Sequence, residues 1–76
     1  MREFKLTSEY IELVKLLKLL RISETGGHAK IIVGEGEVFL NGNQEFRKRA
    51  KLKSGDIVEV FGEKIVIKSQ ADLPKN

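Results

Sequence analysis

The sequence predicts an α+β fold: two antiparallel helices packed on a small, mainly antiparallel twisted sheet. Three observations carry this. Seven of the ten residues from Ile11 to Leu20 are apolar, as a buried helix requires. Ala29, Ile32 and Val33 then repeat at i, i+3 and i+4, the spacing of one helix face. From Glu37 the period changes to two, and the chain ends in β-branched runs separated by Gly and Asn turn residues.

At 76 residues the chain holds one domain, spanning 1–76, with one small core and no linker. Hydrophobic residues at 41% beside 33% charged ones are enough to fold a soluble domain rather than leave a disordered chain. There is no cysteine, which removes disulfides and thiolate metal sites. The N-terminus lacks the apolar run of a signal peptide, and Glu12, Lys15 and Lys18 interrupt the later one, so the expected location is the cytoplasm.

Taken in order, Arg2 to Leu6 alternates charged and apolar residues and suits a short edge strand. Thr7 or Ser8 can cap the next helix, where Glu9 and Glu12 would complement the positive end of its dipole. The apolar excess of Ile11 to Leu20 implies packing on more than one side or a helix that ends before Leu20. Glu12, Lys15 and Lys18, at steps of three, mark the wet edge.

A second helix is expected from about Gly26 to Glu35, capped by Ser23 or Thr25 and ended by Gly36 in a left-handed conformation. Gly27, Lys30 and Gly34 share its open side, leaving the backbone approachable around a lysine. Val38 and Leu40 point one way in the following strand, with Glu37, Phe39 and Asn41 on the other side. Asn41-Gly42 fits a tight turn with positive φ. The chain returns through Gln44 to Lys53, turns at Ser54-Gly55-Asp56, and closes with a hairpin of Ile57–Phe61 and Lys64–Lys68. The tail from about Ser69 to Asn76 is expected to fray.

The charge is concentrated in one place. Residues 47–53 contain Arg47, Lys48, Arg49, Lys51 and Lys53 with no acid, whereas the flanking segments are each slightly acidic. A patch of this kind favours polyanions, although a solvated return strand that blocks edge pairing would read the same way. The basic run follows a turn and carries little apolar material beyond Ala50 and Leu52, unlike the amphipathic helix of a membrane binder.

Catalytic signals are absent. One His, no Cys and dispersed acids leave no triad, Cys/His pair or metal cluster in view, and no cofactor is implied. His28 is a candidate only for a phosphate or base contact, with a plain surface position as the alternative. Gly26-Gly27 could turn backbone N–H groups toward a phosphate or simply permit a sharp turn into the helix. The five aromatic residues are scattered, so base-stacking recognition on a sheet platform is disfavoured.

Thr25-Gly-Gly-His-Ala-Lys-Ile-Ile, Gly36-Glu-Val38, Asn41-Gly42, Lys51-Leu52 and Gly55-Asp56 together resemble the RNA-binding domain first named for small-subunit ribosomal protein S-four, or αL motif. The likeness covers about residues 8–61 and is greatest to the small stand-alone bacterial branch of YbcJ-like and YaaA-like proteins. It implies a non-catalytic monomer that grips structured RNA, ribosomal RNA foremost, with a helix pair and a hairpin. The RNA contacts it implies are Thr25, Gly26, Gly27, Lys30, Glu37, Asn41, Arg47, Lys48, Arg49 and Lys51, and the candidate His28 stands among them in the sequence. Where the broader family often has basic residues, this chain has Gly26 and Glu12, which shifts the expected phosphate contact toward Arg47 to Lys51. The competing reading is a small β-grasp-like protein-interaction module, suggested by Val38-Phe-Leu-Asn-Gly. Its carrier form needs a C-terminal Gly-Gly, and this chain ends Leu73-Pro-Lys-Asn.

Overall fold

The structure, a computed structural model, describes residues 1–69. The tail expected to fray lies, beyond Ser69, outside the described residues. In chain order the elements are β1 (Arg2–Lys5), β2 (Ile11–Glu12), α1 (Leu13–Leu19), α2 (Gly26–Gly34), β3 (Val38–Leu40), β4 (Asn43–Gln44), β5 (Lys51–Leu52), β6 (Ile57–Val60) and β7 (Glu63–Lys68).

Five strands form one sheet in the order β1-β7-β6-β3-β4, and β2 pairs with β5 in a separate two-stranded ribbon. All pairings are antiparallel except β1 on β7, where Arg2 lies opposite Ile65 and Lys5 opposite Lys68. The N-terminal strand is thus the sheet edge its alternation predicts. Val38, Val58, Val60, Ile65 and Ile67 turn to one face and are buried there. They meet Leu13, Leu16 and Leu17 of α1 and Ala29, Ile32 and Val33 of α2 in one core. Each fully buried Leu, Ile or Val contributes about 1.5–3 kcal/mol relative to exposure.

The first helix differs from expectation at its start. Ile11 and Glu12 are strand, the N-cap is Glu12 without a side-chain cap bond, and no acid stands in the first turn. Ser8 instead donates its hydroxyl hydrogen to the Tyr10 carbonyl at 2.9 Å. The helix's first free donors go to a distant segment: Leu13 N–H to the Ala50 carbonyl at 2.9 Å and Val14 N–H to the Lys48 carbonyl at 3.1 Å. Ile11 and Glu12 pair with Leu52 and Lys51 for the same reason. The expected long return from Gln44 therefore breaks after β4, and the basic segment leaves the large sheet to cap α1.

Both helices end in the same six-residue closure. Arg21 N–H bonds Lys18 O and Ile22 N–H bonds Leu17 O; Gly36 N–H bonds Val33 O and Glu37 N–H bonds Ile32 O. The left-handed residue is Arg21 (φ 59°) after α1 and Gly36 (φ 79°) after α2. Asn41-Gly42 (φ 51° and 87°) and Phe61-Gly62 (φ 50° and 80°) form the two tight hairpin turns. The second lies one residue earlier than its composition suggests, because Val60 pairs with Glu63.

Candidate nucleic-acid interface

Lys15 and Lys18 stand one turn apart on α1, Lys30 projects from α2, and Arg49 arrives on the segment that caps α1. Together with Glu12 and Val14 they line one concavity. Four cations meet a single carboxylate there. Among the described residues the ion pairs join Arg2 to Glu63 and Arg47 to Glu45, and neither lies in this concavity. Arg49 also lines a second hollow with Arg47, Lys51 and Lys53, so the two basic hollows share a wall.

The carbonyl bonds from Lys48 and Ala50 to α1 fix this arrangement. Ala50 is buried beneath the segment at 3% exposure, which turns its basic neighbours outward. The Lys48 side chain passes over α2: its Cε lies 3.9 Å from where a Cβ on Gly34 would stand. At the other end of that helix, a Cβ on Gly26 would meet open space, and one on Gly27 would meet only the Thr25 hydroxyl at 3.9 Å. Neither has a positive φ. The fold itself does not demand glycine at either position, although glycine within a helix costs up to about 1 kcal/mol relative to alanine.

The residues expected from sequence fall into separate groups. Thr25 is the N-cap of α2 and accepts the His28 N–H at 3.1 Å, while His28 Nδ1 accepts the Glu24 N–H at 3.4 Å. Gly26, Gly27, His28 and Lys30 occupy the first half of that helix. Glu37 and Asn41 are exposed at the ends of β3. Asn41 has a structural role, since its amide donates to Asp56 Oδ1 at 3.1 Å and its Oδ1 accepts the Ile57 N–H at 2.8 Å. Asp56 in turn accepts the Lys53 N–H at 2.8 Å, so the Asn-Gly and Gly-Asp turns clasp each other.

The basic segment is not uniform either. Glu45 Oε2 accepts both the backbone and Nε hydrogens of Arg47, and Oε1 accepts from Nη2, at 2.9, 3.0 and 2.9 Å. These hydrogen bonds hold the Glu45 carboxyl below its ordinary pKa and raise that of Arg47. Lys51 Nζ sits 4.9 Å from the centre of the Tyr10 ring, a cation–π contact. Lys15 and Lys18, read from sequence only as a wet helix edge, are the cations that sequence reasoning missed. Their i, i+3 spacing was visible; that Lys30 and Arg49 would close the hollow was not.

The S4 domain family model matches residues 4–68. The chain belongs to the S4 domain family. Among its relatives, YbcJ of Escherichia coli, named for RNA binding, is 41% identical over 58 residues, covering 76% of this chain and 83% of YbcJ. RlbA of Bacillus subtilis, named for ribosome maturation, is 40% identical over 55 residues, 72% of this chain and 78% of the relative. The solution structure of E. coli YbcJ, which reveals an αL motif involved in RNA binding, superposes with a TM-score of 0.68 at 39% identity. It covers 90% of this chain and 87% of that one. Heat shock protein 15 of Vibrio cholerae shares the fold with a TM-score of 0.69 at 22% identity, over 90% of this chain and 72% of that one. The S4 domain assignment and the helix pair on a mainly antiparallel sheet are as the sequence motifs imply. Among the described residues, no group of His, Cys, Asp and Glu could hold a metal, and no helix is long and apolar enough to cross a membrane.

Proposed function

We propose that this S4 domain protein is a non-catalytic, cytoplasmic RNA-binding monomer that grips structured RNA, ribosomal RNA foremost. The carrying observation is the meeting of Lys15, Lys18, Lys30 and Arg49 around one concavity, with a second basic hollow beside it. Cations brought together from two helices and a loop match phosphates gathered by a folded RNA better than those of a flexible strand. Each phosphate they neutralise releases condensed counterions, so affinity falls with salt. The names of YbcJ and RlbA support RNA and the ribosome as the partner class. Of the expected contacts, Lys30 and Arg49 line the concavity and Arg47, Arg49 and Lys51 line the hollow beside it; this reading adds Lys15 and Lys18 to them.

The test is binding to folded ribosomal RNA fragments and to a plain duplex, each across a salt series. Wild type should prefer the fragments with a steep log–log decline. The triple variant Lys15→Gln, Lys30→Gln, Arg49→Gln should lower that slope by roughly 2 to 3 while keeping a native circular dichroism spectrum. No binding at low salt sinks the reading and moves the search to protein partners.

A further inference from the structure

Beside the basic concavity lies a groove of different character. Phe4, Ser8, Tyr10 and Leu19 line it, and Glu12 and Lys15 belong to both the groove and the basic concavity. The two are therefore continuous. Tyr10 is 38% exposed and Leu19 54% exposed, so the groove offers an aromatic ring and an aliphatic side chain to solvent. Lys51 stands over the Tyr10 ring at 4.9 Å but does not line the groove. One side of the ring is thus taken by a cation and the groove holds another.

We infer that this groove receives one unpaired nucleotide of the bound RNA, its base stacked on Tyr10 while the adjoining phosphates lie on Lys15 and Lys51. The inference rests on the RNA-binding reading above and adds what kind of RNA is chosen: a helix interrupted by a bulge or loop. Three physical features agree. A flat aromatic ring beside apolar walls suits a base, and stacking is indifferent to which base enters. Lys15 on the groove wall and Lys51 over the Tyr10 ring suit the two phosphates of a nucleotide turned out of a helix. Glu12, on the shared wall, repels phosphate and accepts hydrogen bonds from base N–H groups, which sorts the base into the groove and the backbone onto the lysines. Recognition of single-stranded elements is also how proteins read RNA sequence, since the deep major groove of the A-form helix is closed to side chains. Sequence alone disfavours base stacking because the aromatic residues are scattered. A single ring at the end of a phosphate track needs no aromatic pair.

Tyr10 is the one tyrosine and the chain has no tryptophan, so its intrinsic emission reports on this groove. The experiment compares two RNA hairpins at low salt, one fully paired and one carrying a single bulged 2-aminopurine. Tyr10 emission, 2-aminopurine emission and affinity are measured for wild type, Tyr10→Leu, Tyr10→Phe and Lys30→Gln/Arg49→Gln, with thermal melts to verify folding. Expected are about tenfold tighter binding of the bulged hairpin by wild type and quenching of Tyr10 by that hairpin alone. Tyr10→Phe should keep the preference and Tyr10→Leu should lose it, while Lys30→Gln/Arg49→Gln weakens both hairpins. Equal wild-type affinity for the two hairpins, or a preference that survives in Tyr10→Leu, overturns the groove assignment and leaves the RNA-binding reading standing. Failure of wild type to bind either hairpin overturns both.

Discussion

Glu45 shows how one residue can regulate a patch that charge counting treats as uniform. Its side chain is 12% exposed; it accepts two hydrogen bonds from the guanidinium of Arg47, whose side chain is 76% exposed, and a third from the Arg47 backbone N–H. Arg47 is therefore already partnered, whereas no ion pair among the described residues involves Arg49 or Lys30. Replacing Glu45 with Gln should free Arg47 and tighten RNA binding several-fold at low salt, measured by titration, with an increase of about 1 in the salt slope. The pH dependence has a definite sign. Because the folded-state pKa of Glu45 is depressed by Arg47, its contribution to stability is present above its unfolded pKa. That contribution is lost as pH falls through the lower folded value. The stability difference between wild type and Glu45→Gln should shrink below the ordinary carboxylate range, seen in denaturant melts across an acid pH series.

At the scale of elements, the two helix ends use one geometry with opposite chemistry. Gly36 suits its positive φ, and a Cβ there would collide with the Gln44 amide, which donates to the Gly36 carbonyl at 2.8 Å. Gly36→Ala should cost about 1–3 kcal/mol by combining backbone strain with displacement of Gln44, measured by denaturant unfolding. Arg21 holds the equivalent left-handed position after α1 with a Cβ in place. Arg21→Gly should stabilise the protein by up to about 1 kcal/mol, a rise in melting temperature without change in the circular dichroism spectrum. The start of α1 differs again, since carbonyls of Lys48 and Ala50 do what a side-chain cap would do. One set of hydrogen bonds thus caps the start of the helix and positions the basic residues, coupling local stability to the candidate interface.

At the scale of the molecule, the large sheet serves as the base on which two helices and one irregular segment converge. Leu52 is fully buried on β5, opposite Ile11 of β2, and belongs to the common core. Leu52→Ala should destabilise the fold by about 2–5 kcal/mol. In the folded fraction it should also weaken RNA binding, because the segment that presents Arg49 loses its anchor; titration below the melting transition checks this. The helix faces of Ala29, Ile32 and Val33, the Asn41-Gly42 turn and the terminal hairpin were legible in sequence because each depends on contacts or φ values set within a few residues. The alternation of Arg2 to Leu6 likewise announced a strand. Its parallel partner, β7, lies at the far end of the chain and left no local trace. The same holds for the candidate interface. The sequence determined which segment is rich in cations and which helix keeps an open glycine face, since composition and period are local properties. Tertiary structure decided that the carbonyls of Lys48 and Ala50 cap α1, that Lys15 and Lys18 share a concavity with Arg49 and Lys30, and that Glu45 pairs with Arg47. Backbone carbonyls accept hydrogen bonds whatever their side chains are, so no residue type in the sequence could mark Lys48 and Ala50 as the cap of α1.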